Sequence, residues 1–132
     1  MFGINTLAVD LDPQSNLTAM FLTPERLEEL WPDDPAQRQS ILRSVRPFVR
    51  GIGDVVAPHV EQVDSRIGLV VGDLALSTFE DRLSDAWPRS MDRQEDAFRI
   101  PSAFHRLMLI AERQADASIT LIDVGPNLGA TV

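Results

Sequence analysis

The chain has 132 residues, of which 44% are hydrophobic and 24% are charged, a composition typical of one soluble globular domain. All 12 basic residues are arginine, and the 20 acidic residues leave a net charge of −8, which gives no bulk attraction for nucleic acid or an anionic membrane. The absence of cysteine excludes disulfides, thiolate nucleophiles and cysteine metal sites. The absence of lysine excludes Schiff-base chemistry and a phosphate-loop lysine.

The N-terminus and the apolar runs indicate a protein without membrane contact. The longest apolar runs are strand-sized, far short of the ~20 residues that a membrane helix needs. Residues 1–10 have neither the basic start nor the cleavage pattern of a signal peptide. We therefore expect a cytoplasmic location.

Hydrophobic periodicity and turn residues predict an alternation of strands and helices. In the first half they predict a strand over residues 4–10, a helix capped by Ser15 or Asn16 that runs to Phe21, a helix from Pro24 (capped by Thr23) to about Trp31, and a helix from Ile41 (capped by Ser40) that ends before Gly51 and Gly53. In the second half they predict an irregular edge strand within residues 54–63, a strand over 67–71, a helix over 74–87, a helix from Glu95 or Pro101 to Gln114, and a strand over 119–122. This order favours an α/β fold with a parallel sheet and right-handed crossovers.

Aspartates follow two of the predicted strands, with Asp10 and Asp12 after the first and Asp123 after the last. Ligands of open α/β sheets bind beyond the carboxyl ends of the strands. Paired carboxylates there can hold Mg²⁺ and orient a water, and Gly125 would let the backbone come close to a phosphate. The alternative is that these aspartates and glycines only form turns, which they favour for conformational reasons.

Three segments together resemble the ParA-type partition ATPases of the MinD/ParA group of P-loop proteins. Residues 9–18, VDLDPQSNLT, resemble the family's D-x-D-P-Q-x-N-x-T segment. Residues 72–84, GDLALSTFEDRLS, are similar to its G-D-x-x-L-S-x-F-E-x-x-L-S block, and residues 121–129, LIDVGPNLG, resemble its Walker B motif and second switch. The resemblance implies a three-layer P-loop NTPase-like parallel sheet with flanking helices, present only in part over residues 1–132.

The resemblance also implies roles for individual residues. Asp12 aligns with the catalytic aspartate that positions the hydrolytic water, while Asp123 and Asp10 would hold Mg²⁺, partly through water. Four positions are assigned to cofactor binding: Asp10, Gln14, Gly125 and Pro126. The last two would form the second switch, although many relatives have proline where this chain has Gly125.

The family's glycine-rich loop, K-G-G-x-G-K-T-T, has no counterpart in this chain. Gly3 is the only glycine in residues 1–50, and lysine is absent. That loop supplies the N–H groups and positive charges that bind the phosphates. We therefore expect that the first strand, the phosphate loop and the C-terminal half of the family domain are missing, and that Mg²⁺ and ATP, the cofactors of the intact family, are not bound tightly.

The family function implied by the resemblance is ATP-dependent partitioning of chromosomes or plasmids, or a related positioning task. Its partners would be a second copy of the chain, non-specific DNA and a ParB-like activator. Arg43, Arg46 and Arg50 share one helical stretch, but the negative net charge favours a solvated face over a DNA-binding surface. Without the lysines we expect this chain to be inactive alone. The alternatives are a non-enzymatic remnant and a small interaction module that pairs with a full-length relative through its sheet edges.

Overall fold

The computed structural model describes residues 3–50, 52–77 and 99–125. The strands in these ranges are β1 (Thr6–Asp10), β2 (Val60–Asp64), β3 (Ile67–Val70) and β4 (Ile119–Asp123). The helices are α1 (Asn16–Phe21), α2 (Pro24–Leu30), α3 (Ile41–Val49) and α4 (Arg99–Ala115). Most of the helix predicted over residues 74–87 lies outside the described residues. No helix that the structure describes is long and apolar enough to cross a membrane.

The four strands form one sheet in the order β2-β3-β1-β4. The central strand β1 runs parallel to both β3 and β4, as the alternating pattern predicts. The edge strand β2 runs antiparallel to β3, which differs from the parallel sheet expected. The reason is the connection, since only a tight turn joins β2 to β3 and a parallel neighbour would need a long crossover.

Helices cover both faces of the sheet, because successive side chains of a strand point to opposite faces. On one face, α3 and α4 pack on β1 and β3 in a core of nine buried residues: Leu7, Val9, Ile41, Val45, Val70, Leu76, Leu107, Met108 and Ala111. On the other face, residues of α1 and α2 and Trp31 pack on Ala8, Leu69 and Val71. The predicted three-layer α/β arrangement is therefore confirmed.

The edge strand β4 remains exposed on both faces among the described residues. Leu121 is 60% exposed and its neighbour Ile122 is 49% exposed, although both are apolar. By contrast, Leu7 and Val9 of the adjacent β1 are fully buried. In the part of the chain that the structure describes, an exposed apolar strand therefore lies beside a largely buried one.

Helix α2 begins as local rules predict. The Thr23 hydroxyl accepts a hydrogen bond from the Arg26 N–H at 3.3 Å, and Pro24 occupies the first turn, where its missing N–H costs nothing.

The two buried helix starts use longer-range contacts instead. Ser15 is the N-cap residue of α1, but it has a left-handed φ of 52° and its side chain makes no capping bond. The N–H of Thr18 donates instead to the Asp10 carboxylate at 2.8 Å. Ser40 precedes α3, and its hydroxyl donates to Asp73 at 2.6 Å, while the Ile41 N–H donates to the Val71 carbonyl at 2.9 Å. Both helices thus start where predicted, but their first N–H groups donate to acceptors from other parts of the chain and not to the predicted serine caps.

Candidate functional site

The carboxyl ends of β1 and β4 lie side by side and bring the predicted aspartates together. Asp10 and Asp123 are paired across the two parallel strands. The N–H of Leu11 donates to the Asp123 carbonyl at 2.8 Å, which continues the pairing one residue beyond β1. Asp12 follows immediately, so all three aspartates occupy one edge of the sheet.

Asp10 is fully buried and uses both carboxylate oxygens. Its Oδ2 accepts from the Thr18 N–H at 2.8 Å and from the Thr18 hydroxyl at 2.6 Å. Its Oδ1 accepts from the Asp12 N–H at 3.1 Å. Asp10 therefore caps α1 and fixes the start of the loop that carries Asp12.

Burial raises the pKa of Asp10 above its ordinary value, because desolvation disfavours the charged carboxylate. The hydrogen bonds from Thr18 and Asp12 oppose this effect, and the nearby negative charge of Asp123 adds to it. Two neighbouring carboxylates repel each other, so this edge favours a bound cation or proton.

Asp12 is buried in a compact loop between β1 and α1. Its Oδ1 accepts from the Gln14 N–H at 3.0 Å, and its carbonyl accepts from the Ser15 N–H at 2.8 Å. The Gln14 side chain is exposed and accepts from the Asn16 amide at 3.0 Å. The loop thus holds Asp12 inward and leaves Gln14 at the surface, where its assigned role in cofactor binding stays a prediction.

Gly125 approaches the Asp12 loop closely. A Cβ atom at position 125 would lie 2.9 Å from Asp12 Oδ1, a distance that real Cβ atoms do not tolerate. A larger residue at this position would therefore push the Asp12 carboxylate out of its present place. Pro126, the other predicted second-switch residue, lies outside the described residues.

The segment after β3 contributes two hydrogen bonds that the sequence did not predict for the site. The Gly72 N–H donates to the Thr18 hydroxyl at 2.9 Å, and the Gly72 carbonyl accepts from the Trp31 indole N–H at 3.0 Å. A Cβ atom on Gly72 would lie 2.9 Å from Asp10 Oδ2. Thr18 and Gly72 both lie within the motifs that carry the family resemblance, and this was the sequence feature that could have assigned them to the site.

Asp73 anchors the loop that follows β3. Its buried carboxylate accepts from the Ser40 hydroxyl at 2.6 Å, from the Arg38 guanidinium at 3.1 Å and from the Ala75 N–H at 2.9 Å. A buried charge with a cationic partner and several hydrogen bonds is fully compensated, so Asp73 is a structural residue.

The aspartates at the carboxyl ends of β1 and β4 could hold Mg²⁺ only together with other ligands. Within residues 3–50, 52–77 and 99–125, no group of three His, Cys, Asp or Glu side chains could hold a metal by itself. Mg²⁺ is usually held by one or two carboxylates, with waters and substrate phosphates completing its six positions. Asp10 and Asp123 are paired at this edge, and Asp10 Oδ1 accepts only one hydrogen bond from the described residues, so their assigned role as Mg²⁺ ligands stays a prediction.

Comparisons with known proteins agree with this geometry. No family model and no curated protein matches the chain significantly. Among solved structures, the chain is similar to protein DIP2308 from Corynebacterium diphtheriae, with 30% identity and a TM-score of 0.81 over 98% of this chain and 45% of that one. It is also similar to the cobyrinic acid a,c-diamide synthase from Mycobacterium smegmatis, with 26% identity and a TM-score of 0.57 over 98% of this chain and 42% of that one. The chain therefore spans less than half the length of either protein.

The mostly parallel sheet with helices on both faces has the fold of an α/β P-loop NTPase, present in part relative to these longer structures. The synthase is a ParA/MinD-like P-loop NTPase, so the resemblance to that family is confirmed at the level of structure.

Proposed function

We propose that this chain is part of a ParA-like ATPase and supplies the aspartate half of an Mg²⁺-ATP site. The observation that carries the proposal is the meeting of Asp12, Asp123 and Gly125 where β1 and β4 end. For the whole protein we propose ATP-dependent partitioning of a chromosome or plasmid, or a related positioning task, carried out by a homodimer on non-specific DNA with a ParB-like activator.

The chemistry required of these residues is positioning and charge compensation, as in other phosphoryl transfers. Asp12 would orient the attacking water, and its loop is already fixed by bonds to the Gln14 and Ser15 N–H groups. Asp123 and Asp10 would hold Mg²⁺, partly through water. When bound, the ion would neutralise charge on the phosphates.

The phosphate-binding half of such a site requires backbone N–H groups and positive side chains. The sequence has no lysine to supply that charge. We therefore expect the chain by itself to bind Mg²⁺-ATP more weakly than micromolar and to show no turnover.

The test compares the chain with a loop-extended form, in which a strand and a K-G-G-x-G-K-T-T segment precede it and the C-terminal half of the family domain follows it. Calorimetric titration with Mg²⁺-ATP should give no micromolar binding for the chain and should give it for the loop-extended form. In that form, Asp12→Ala should retain nucleotide binding and lose turnover, while the exposed control Asp33→Ala should retain both. Unchanged turnover in Asp12→Ala would remove Asp12 from its role, and micromolar binding by the chain alone would contradict the half-site.

The exposure of β4 favours a second candidate function, that of an interaction module. An edge strand with exposed Leu121 and Ile122 and no proline or basic residue is open to pairing with another chain. If the chain pairs with a full-length relative in this way, sedimentation of the mixture should show a complex, and Leu121→Arg should abolish it. Identical sedimentation of the mixture and of its separate components would exclude this function.

A further inference from the structure

Thr18 lies at a junction between β1, α1 and the end of β3. The residue is fully buried, and its hydroxyl donates to Asp10 Oδ2 at 2.6 Å while accepting from the Gly72 N–H at 2.9 Å. A hydroxyl has one proton to donate, and here that proton is committed to Asp10. Valine has the same shape and could make neither bond.

The Gly72 backbone is held through the peptide units on both sides of its Cα. Its N–H is bonded to Thr18, and its carbonyl accepts from the Trp31 indole at 3.0 Å. The space around it is also full, since an added Cβ would lie 2.8 Å from Ser15 Oγ and 2.9 Å from Asp10 Oδ2. A displacement of Thr18 therefore moves the peptide unit before Gly72, and the tight packing passes that movement to the next unit, whose carbonyl is the partner of Trp31.

Asp10 connects this junction to the loop of Asp12. One carboxylate oxygen of Asp10 binds Thr18, and the other accepts from the Asp12 N–H at 3.1 Å. A carboxylate is planar and rigid, so rotation at one oxygen moves the other. The position of the Asp12 backbone and the position of Gly72 thus depend on one another.

We propose that Asp10, Thr18, Gly72 and Trp31 form a hydrogen-bonded relay that couples the Asp12 loop to the residue that ends α2, with Thr18 as its positioning residue. The relay makes the state of the candidate site detectable at Trp31 and holds Asp12 in place. Its consequence for turnover rests on the proposed function, whereas the coupling itself can be tested without nucleotide.

The experiment follows the Trp31 indole N–H by nuclear magnetic resonance in a Trp87→Phe background, which leaves one indole signal. Thr18→Val should shift that signal and speed its hydrogen exchange at least tenfold, because the Gly72 carbonyl loses its fixed position. Thr18→Ser keeps the hydroxyl and should restore exchange to within about threefold of the parent rate. The matched control is Thr120→Val, which removes a hydroxyl bonded to Glu112 at 2.7 Å and should leave the indole unchanged.

The coupling is measured by a double-mutant cycle. Asp12→Ala removes the bond from the Gln14 N–H that fixes the loop, so the Asp12 N–H bonded to Asp10 can move. It should therefore shift the Trp31 indole signal in the Thr18 protein and leave it unshifted in Thr18→Val. If Thr18→Val does not fold, Asp12→Ala and Asp12→Asn in the Thr18 protein carry the test. If neither Asp12 substitution shifts the Trp31 indole signal, the relay is overturned. It is also overturned if Asp12→Ala causes the same shift with and without the Thr18 hydroxyl.

A further measurement separates the relay from the proposed function. In the loop-extended form, Thr18→Val should lower kcat at least tenfold with little change in KM, and Thr18→Ser should recover most of kcat. If the loop-extended form fails to bind ATP, the proposed function fails while the indole experiment still decides the relay.

Discussion

Asp10 and Asp123 lie directly opposite each other at the carboxyl ends of two parallel strands. Asp10 is fully buried and Asp123 is partly buried, and the negative charge of Asp123 adds to the effect of burial on the pKa of Asp10. The 112 residues between them include α1 to α4, β2 and β3, and the chain then returns to the same edge of the sheet. This pairing makes the edge both acidic and rigid.

Because the pKa of Asp10 is raised, the free energy of unfolding should depend on pH. Since burial raises that pKa above 3.8, the unfolded chain ionises first as pH increases. The contribution of Asp10 is therefore fully present below pH 3.8 and is lost as pH rises through the higher pKa of the folded state. Urea unfolding between pH 3 and pH 7 compares the free energy of unfolding of the parent with that of Asp10→Asn. The difference in favour of the parent should shrink as the pH rises. An advantage that grows with pH would contradict this sign.

The ion pair between α2 and β2 should have the opposite pH dependence. Arg26 donates to both oxygens of Glu61 at 2.8 and 2.9 Å, and this contact holds the pKa of Glu61 below 4.5. The stabilisation is present above pH 4.5 and is lost as pH falls through the lowered pKa. Glu61→Gln should cost about 1 kcal/mol near pH 7, as expected for a partly exposed bidentate pair, and little in strong acid. The exposed Glu28→Gln on α2 serves as the control, and an equal cost for both would refute the assignment.

Gly125→Ala should disturb the Asp12 carboxylate with little effect on global stability. The new Cβ would lie 2.9 Å from Asp12 Oδ1, which is bonded to the Gln14 N–H. We expect the Gln14 amide to exchange at least tenfold faster, and turnover of the loop-extended form to fall at least tenfold. Gly53→Ala is the matched control, because its Cβ would meet only a Pro47 side chain at 3.7 Å. Unaltered exchange at Gln14 would show that the two loops do not constrain each other.

The core on the α4 face should be sensitive to cavities at Leu107. Leu107 is fully buried, whereas Leu109 on the same helix is 38% exposed. Leu107→Ala should lower the free energy of unfolding by about 2–5 kcal/mol, from lost burial and the remaining cavity. Leu109→Ala makes the same chemical change and should cost less than about 1 kcal/mol. Denaturant titration checks both, and similar losses would show that α4 does not pack as described.

The sequence predicted correctly those elements that depend on residues close to one another in the chain. The start of α2 at Thr23-Pro24 depends on groups within one helical turn, and the structure has it as predicted. The edge strand expected within residues 54–63 forms only at Val60–Asp64 and runs antiparallel. Its direction depends on the turn to β3, whereas its apolar pattern is the same in either orientation.

The sequence by itself determined the α/β class and the convergence of Asp10, Asp12 and Asp123, because residues that follow parallel strands meet at one edge. Only the tertiary structure decided which partner each buried polar group takes. Thr18 and Gly72 are 54 positions apart, yet one hydroxyl joins them, because a buried N–H must be satisfied by whichever acceptor the packed chain brings near. Local sequence does not encode that neighbour, and it is this neighbour that ties the Asp12 loop to the rest of the fold.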